Sequence, residues 1–272
     1  MSTFETSDSL SLYFEDQGDG LPLLCLPGLT RTMQDFQYVT PHLPPCRLIK
    51  LDYRGRGQSQ WDDNWRNYSL AVEIRDVMEL MDRLSLSALA ILGTSRGGLN
   101  AMGLAATAPD RLLGVALNDV GPELDPTGLA GIMTHLGRRP AARTYSEAAA
   151  ALAYVLKGFD DVPPERWMQE AQTHFVEADD GLNITYDPGL RDAVEAGGDV
   201  PDLWPFFDAL EGKPLALIRG AGSDLLSAET AQKMQDRRPD MIYAEVPGRG
   251  HVPFLDEPEA LAAIREWMEQ LN

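Results

Sequence analysis

Cysteine is nearly absent from this chain. Only Cys25 and Cys46 occur among its 272 residues. The first falls inside a run predicted as a buried strand, so two reduced thiols are expected, and a disulfide-stapled scaffold is excluded. Positive charge is scarce as well: 23 Lys and Arg stand against 42 Asp and Glu, a formal net charge of −19, and Lys50, Lys157, Lys213 and Lys233 are the only lysines. So acidic a surface repels phosphate backbones and anionic lipid, which argues against nucleic acid or a membrane surface as partner. No apolar run approaches the length of a membrane span, and the first residues lack the basic start and apolar core of a secretion signal. A cytoplasmic location is therefore expected. The four histidines, His42, His135, His174 and His251, are scattered without metal-ligand spacing, and neither a P-loop nor a dinucleotide fingerprint occurs. No metal site is expected, and monomer and homodimer stay equally open.

What is present is a serine between glycines, placed where a strand runs into a helix. Ala88-Leu89-Ala90-Ile91-Leu92 is the short apolar run of a fully buried parallel strand, and Gly97 onward reads as helix. Gly93-Thr94-Ser95-Arg96-Gly97 joins them with the spacing of a nucleophile elbow, which holds a hydroxyl above the sheet beside the free N–H groups of a new helix. A lone G-x-S-x-G is weak evidence, so its partners matter. Leu215-Ala216-Leu217-Ile218-Arg219 is another buried run, followed by Gly220-Ala221-Gly222-Ser223-Asp224. Met241 to Val246 is a third, followed by Gly248-Arg249-Gly250-His251.

The order Ser, Asp, His, each in the loop after its own strand, resembles the α/β-hydrolase superfamily, and the likeness extends over nearly the whole chain. Asp52-Tyr53-Arg54-Gly55-Arg56-Gly57-Gln58-Ser59 is similar to the superfamily's D-x-R-G-x-G-x-S turn. Gly250-His251-Val252-Pro253 through Pro258 is similar to its C-terminal ending. Leu23 to Thr30 is similar to the strand and loop that supply its second oxyanion-hole donor, although Pro27-Gly28 stands where many members read His-Gly.

The resemblance implies Ser95 as nucleophile, His251 as base and Asp224 as the acid, with the Leu29 and Arg96 amides as oxyanion-hole donors. Asp119, after the preceding core strand where some members carry their acid, is the alternative third member. It implies no cofactor. A serine excludes the branches that form their ester through a carboxylate. Hydrolysis of a small carboxylic ester or lactone is the first expectation, with C–C cleavage of a diketone-like substrate or cofactor-free perhydrolysis as alternatives. Binding of a small molecule without turnover comes last.

Buried runs near 21–26, 47–52, 88–93, 112–118, 214–219 and 241–246 join two short strands between residues 4 and 16, giving an α/β fold with a mostly parallel eight-stranded sheet. Tyr68 to Leu84 places Leu70, Ile74, Val77, Met78, Met81 and Leu84 on one helical face. The alternation breaks after Val120. Residues 121–205 read as helices without buried strands, including Leu129–Leu136, Ser146–Leu156 and Glu165–Ala178, and this insertion is expected to form a cap between core segments 1–120 and 206–272. Thr30, Asp119, His174, Trp204 and Val252 are the candidate pocket residues. Arg96 is unusual directly after a nucleophile. A guanidinium there must either reach a substrate anion or be neutralised by the protein, and a pair with Asp119, at the end of the neighbouring strand, is expected over direct substrate recognition.

Overall fold

The apolar runs form one sheet. In the computed structural model, which describes residues 2–198 and 202–271, eight strands belong to it: β1 (Ser2–Glu5), β2 (Ser11–Gln17), β3 (Pro22–Leu26), β4 (Arg47–Leu51), β5 (Leu89–Thr94), β6 (Leu112–Asn118), β9 (Leu215–Gly220) and β10 (Ile242–Val246). Their order across the sheet is β1-β2-β4-β3-β5-β6-β9-β10. β2 runs antiparallel to β1 and β4, and every other neighbouring pair is parallel. β5 is central, and all of its residues are buried. Successive side chains leave a strand on opposite faces. Leu89 and Ile91 accordingly join one core with α1 (Leu70–Arg83) and α2 (Arg96–Thr107), while Ala90 and Leu92 join the other core, beneath the C-terminal helix Pro258–Glu269.

Burial on both faces explains the strand composition: only continuous apolar runs suit a sheet covered twice. It also places the functional loops. In a parallel sheet the carboxyl ends of the strands lie along one edge, and the residues after β5, β6 and β10 meet there.

The chain leaves the sheet after Asn118 and returns at Leu215. Between them lie α3 (Pro126–His135), α4 (Tyr145–Val155), α5 (Pro164–His174), the strands β7 (Phe175–Ala178) and β8 (Gly181–Ile184), and the short helices α6 (Leu190–Ala196) and α7 (Trp204–Asp208). Residues 199–201 of the expected insertion lie outside the described residues. The Thr144 hydroxyl accepts from the Glu147 amide at 3.2 Å, and the Glu147 carboxylate reaches back to the Arg143 amide at 2.7 Å, so reciprocal capping starts α4.

The expectation of helices alone is corrected by the β7–β8 hairpin. Helix α5 stops at His174, four residues short of the expected end. Asp179-Asp180, read as a polar turn between helices, is instead the two-residue turn of an antiparallel pair, with Ala178 opposite Gly181, whose φ of 133° a side chain would strain. The hairpin's exit is stitched to the turn after β4. The Gly57 amide donates to the Thr185 carbonyl, and the Asp187 amide to the Gly55 carbonyl, both at 2.8 Å.

Candidate active site

At the end of β5 the backbone turns sharply. Ser95 has φ 50° and ψ −112°, a left-handed conformation that costs on the order of 1–3 kcal/mol for a residue with a side chain. The turn is possible because its neighbours are glycines. A Cβ on Gly97 would lie 2.0 Å from the Leu26 carbonyl oxygen, and one on Gly93 would lie 2.6 Å from the Gly97 carbonyl carbon. The serine is thereby fixed at the start of α2.

His251, in the loop after β10, brings Nε2 to 3.1 Å from the Ser95 hydroxyl. Its Nδ1 lies 2.7 Å from Oδ2 of Asp119. Asp119 directly follows β6, adjacent to β5, and is wholly buried. It is held on both oxygens: the Gly220 amide donates to Oδ1 at 2.8 Å, and the Ser223 hydroxyl donates to Oδ2 at 2.6 Å. A carboxylate with this many donors is oriented as a hydrogen-bond acceptor, and it fixes which imidazole nitrogen carries the proton facing it.

The carboxylate that partners His251 is therefore Asp119 and not Asp224, the residue expected from the sequence. Asp224 is exposed and its side chain makes no hydrogen bond among the described residues. The reason is local. The turn after β9 closes through the Ser223 amide to the Gly220 carbonyl, and the Ser223 hydroxyl also accepts from the Leu225 and Leu226 amides. That turn delivers a serine hydroxyl toward the histidine's partner and leaves the next side chain in solvent.

The expected Arg96–Asp119 pair is corrected as well. Arg96 Nε donates to Oε2 of Glu73, on α1, at 2.7 Å. Glu73 is shared: Asn100 donates to the same oxygen at 3.0 Å, and Arg56 Nη2 approaches Oε1 at 2.9 Å as an ion pair off the hydrogen-bond axis. Burial pushes the Glu73 carboxyl up, but Arg96 and Arg56 together outweigh it and hold its pKa down to about 2. Arg56 is itself fully buried between the rings of Tyr53 and Tyr68 and donates to the Leu29 carbonyl at 2.9 Å. Arg54 grips Asp76 with two bonds, at 2.7 and 2.8 Å. Both turn arginines thus brace the loop, and Asp52 adds bonds from the Met33 and Gln58 amides.

Removing the shared carboxylate should be costly. Glu73→Gln leaves the buried Arg56 and the partly buried Arg96 guanidiniums without a counter-charge, and a loss of about 3–5 kcal/mol is expected in denaturant unfolding. Because the folded pKa of Glu73 lies below its ordinary 4.5, its contribution is present above that pH and fades as pH falls toward 2. The variant should lose this part of the acid-unfolding profile.

The Leu29 and Arg96 amides make no hydrogen bond among the described residues, and Arg96 opens α2, where N–H groups have no intrahelical acceptor. Beside them lies a cavity of about 620 Å³. Leu29, Leu99 and Val120 line it from the sheet side, and Leu129, Ile132, Met133 and Val194 line it from the segment between β6 and β9. Ser95 and Arg96 are on its wall.

None of the expected pocket residues Thr30, Asp119, His174, Trp204 and Val252 lines this cavity. His174 sits in an ionic cluster with Arg31, Asp35 and Glu170, its Nε2 3.2 Å from Asp35 and in contact with Arg31. Val252 borders a separate small recess with Arg31 and Phe254. The Trp204 indole donates to Glu123 at 2.8 Å, under the stacked guanidinium of Arg237, and packs edge-on to Phe207. It braces α7 and does not line the cavity. Thr30, half-buried in its loop, is also outside the lining. Asp119 holds His251 instead of facing substrate. Glu73 was missed by sequence, although it lies on the apolar stripe of α1 three residues after Leu70, where a buried carboxylate demands a cation.

Residues 23–264 match the model of the alpha/beta hydrolase family. The chain belongs to that family. Among its relatives is the 3-hydroxybutyrate-oligomer hydrolase of Cupriavidus necator, 36% identical over 88% of this chain and 85% of the relative. A 2-(acetamidomethylene)succinate hydrolase of Mesorhizobium japonicum is 25% identical over 96% of this chain and 92% of its own length. The crystal structure of an alpha/beta hydrolase from Novosphingobium aromaticivorans superposes with a TM-score of 0.93 at 36% identity, covering 99% of this chain and 97% of that one. The Novosphingobium aromaticivorans structure shares the fold along nearly the whole chain. No helix among the described residues is long and apolar enough to cross a membrane.

Proposed function

We propose that this protein is a serine hydrolase of short aliphatic carboxylic esters, working through an acyl-enzyme on Ser95. The observation that carries the proposal is the continuous relay from the Ser95 hydroxyl through His251 to Asp119, opening on an apolar cavity. In this reading His251 accepts the Ser95 proton as the oxygen attacks the ester carbonyl carbon. Asp119 stabilises the imidazolium that forms, and the Leu29 and Arg96 amides receive the developing oxyanion. His251 then protonates the leaving alcohol. Water, activated by the same imidazole, releases the acid and regenerates Ser95.

An oligomer of 3-hydroxybutyrate, the substrate class in the name of the Cupriavidus necator relative, is a run of aliphatic ester links, and the cavity's apolar lining suits such a chain. Residues from α3 and α6 wall that cavity, so the segment between β6 and β9 acts as a cap that sets the substrate's length.

A panel of p-nitrophenyl esters of increasing acyl length, a lactone and a vinylogous diketone tests the reaction class. Short esters should be cleaved fastest, with the rate falling once the acyl chain outgrows the cavity. Cleavage of the diketone with inert esters would replace the ester reading by C–C hydrolysis.

A further inference from the structure

The cavity's charge is at odds with the rest of the molecule. The chain carries a formal net charge of −19, yet among the described residues the charged side chains lining the cavity are Arg66 and Arg96, and no carboxylate is part of that lining. Arg66 is exposed at the edge, stacked 4.3 Å above the Trp65 ring, and it has no ion-pair partner among the described residues. Arg96 stands directly after the nucleophile.

Charge accounting within the protein leaves Arg96 in surplus. The ion pairs of Arg56 and Arg96 both go to Glu73, which has one negative charge for two guanidiniums. Arg56 alone neutralises Glu73. An apolar residue at position 96 would complete the wall without the added charge, so packing does not call for a second cation there. Arg96 also spends only its Nε–H on Glu73: neither terminal nitrogen has a hydrogen-bond partner among the described residues, and Nη2 is shielded from solvent. A partly buried guanidinium whose Nη1 is both unpartnered and reachable can donate to a carboxylate. The positive end of α2 adds to the same field.

We infer that the substrate is anionic, an ester bearing a free carboxylate within a few bonds of the scissile carbonyl, and that the Arg96 guanidinium seats this carboxylate while its backbone amide faces the oxyanion. Arg66, at the cavity's edge, draws the anion in against the repulsion of the acidic surface. Arg96 is then a specificity-determining residue whose side chain and amide serve two parts of one substrate. This inference rests on the ester-hydrolase reading of the same site.

Two matched pairs test it. Mono(4-nitrophenyl) glutarate against 4-nitrophenyl pentanoate places the charge on the acyl side. 3-Acetoxybutanoate against its primary amide places it on the alcohol side. The wild type should favour the anion in at least one pair, and Arg96→Met should lower that preference, as the ratio of kcat/KM values, by about tenfold or more, mainly through KM. Arg96→Lys should restore part of it. Neutral members favoured in both pairs, or an unchanged ratio in Arg96→Met, overturns the inference.

Calorimetric binding of glutarate and glutaramide to Ser95→Ala reads the subsite without turnover. Glutarate should bind at least tenfold tighter, by the same charge-assisted bonds. Equal binding with active esterase refutes the Arg96 subsite alone. Selective glutarate binding by Ser95→Ala, with a wild type that cleaves no ester, refutes the hydrolase reading and leaves the anion site standing.

Discussion

Ser95→Ala should lose about a million-fold in kcat toward its best ester while keeping its fold, because a nucleophile and its base act as a unit and neither retains much function alone. The geometry explains the size of the effect. The hydroxyl sits at the one point where a strained turn, a histidine nitrogen 3.1 Å away and two free amides converge. A water molecule entering the space left by alanine has the amides and the base but not the covalent intermediate, so only slow hydrolysis remains. Thermal unfolding should be unaffected or slightly improved, since alanine removes a polar atom from a partly apolar wall. His251→Ala should match the loss, and the double variant should be no worse than either single one.

The second large effect separates two aspartates. Asp119→Asn should lower kcat by about ten-thousand-fold, because an amide in that position presents a donor to Nδ1 and turns the imidazole to the tautomer that cannot accept the serine proton. Asp224→Asn should stay within about twofold, as expected of an exposed side chain with no bond to lose. Ser223→Ala should fall between them: Asp119 would keep the Gly220 amide and lose a 2.6 Å hydroxyl donor. Rates for these variants on a single neutral ester, with circular dichroism to check folding, are sufficient. A larger loss in Asp224→Asn than in Asp119→Asn would return the acid to the loop after β9.

These two aspartates also mark where the sequence stopped being legible. The elbow was readable because its chemistry is local: glycines at 93 and 97 are imposed by contacts of 2.6 and 2.0 Å, respectively, that any side chain would violate. His251 was readable because no other histidine follows a core strand. The central strands were readable because burial on both faces favours continuous apolar runs. The choice between Asp119 and Asp224 depends on which way one loop turns, and that direction is set by Ser223 bonding back to Asp119, a contact across 104 residues of chain. Arg96 failed for a similar reason. Topology places Asp119 at the next strand end, but the side chain at the start of α2 reaches sideways to α1, where Glu73 already sits on the buried stripe. Two buried acids on that stripe, Glu73 and Asp76, against two arginines in the turn after β4 were a charge balance visible in the sequence. The hairpin of β7 and β8 was missed because a two-residue acidic turn reads alike between strands and between helices.

The central claim is that Ser95 is a nucleophile activated by His251, and covalent labelling tests it most directly. Wild-type protein treated with an alkyl fluorophosphonate should gain the mass of one phosphonyl group, and peptide mapping should locate it on Ser95. Labelling should slow greatly in His251→Ala and vanish in Ser95→Ala. An unlabelled wild type, or a phosphonyl group on another residue that persists in Ser95→Ala, would contradict the account.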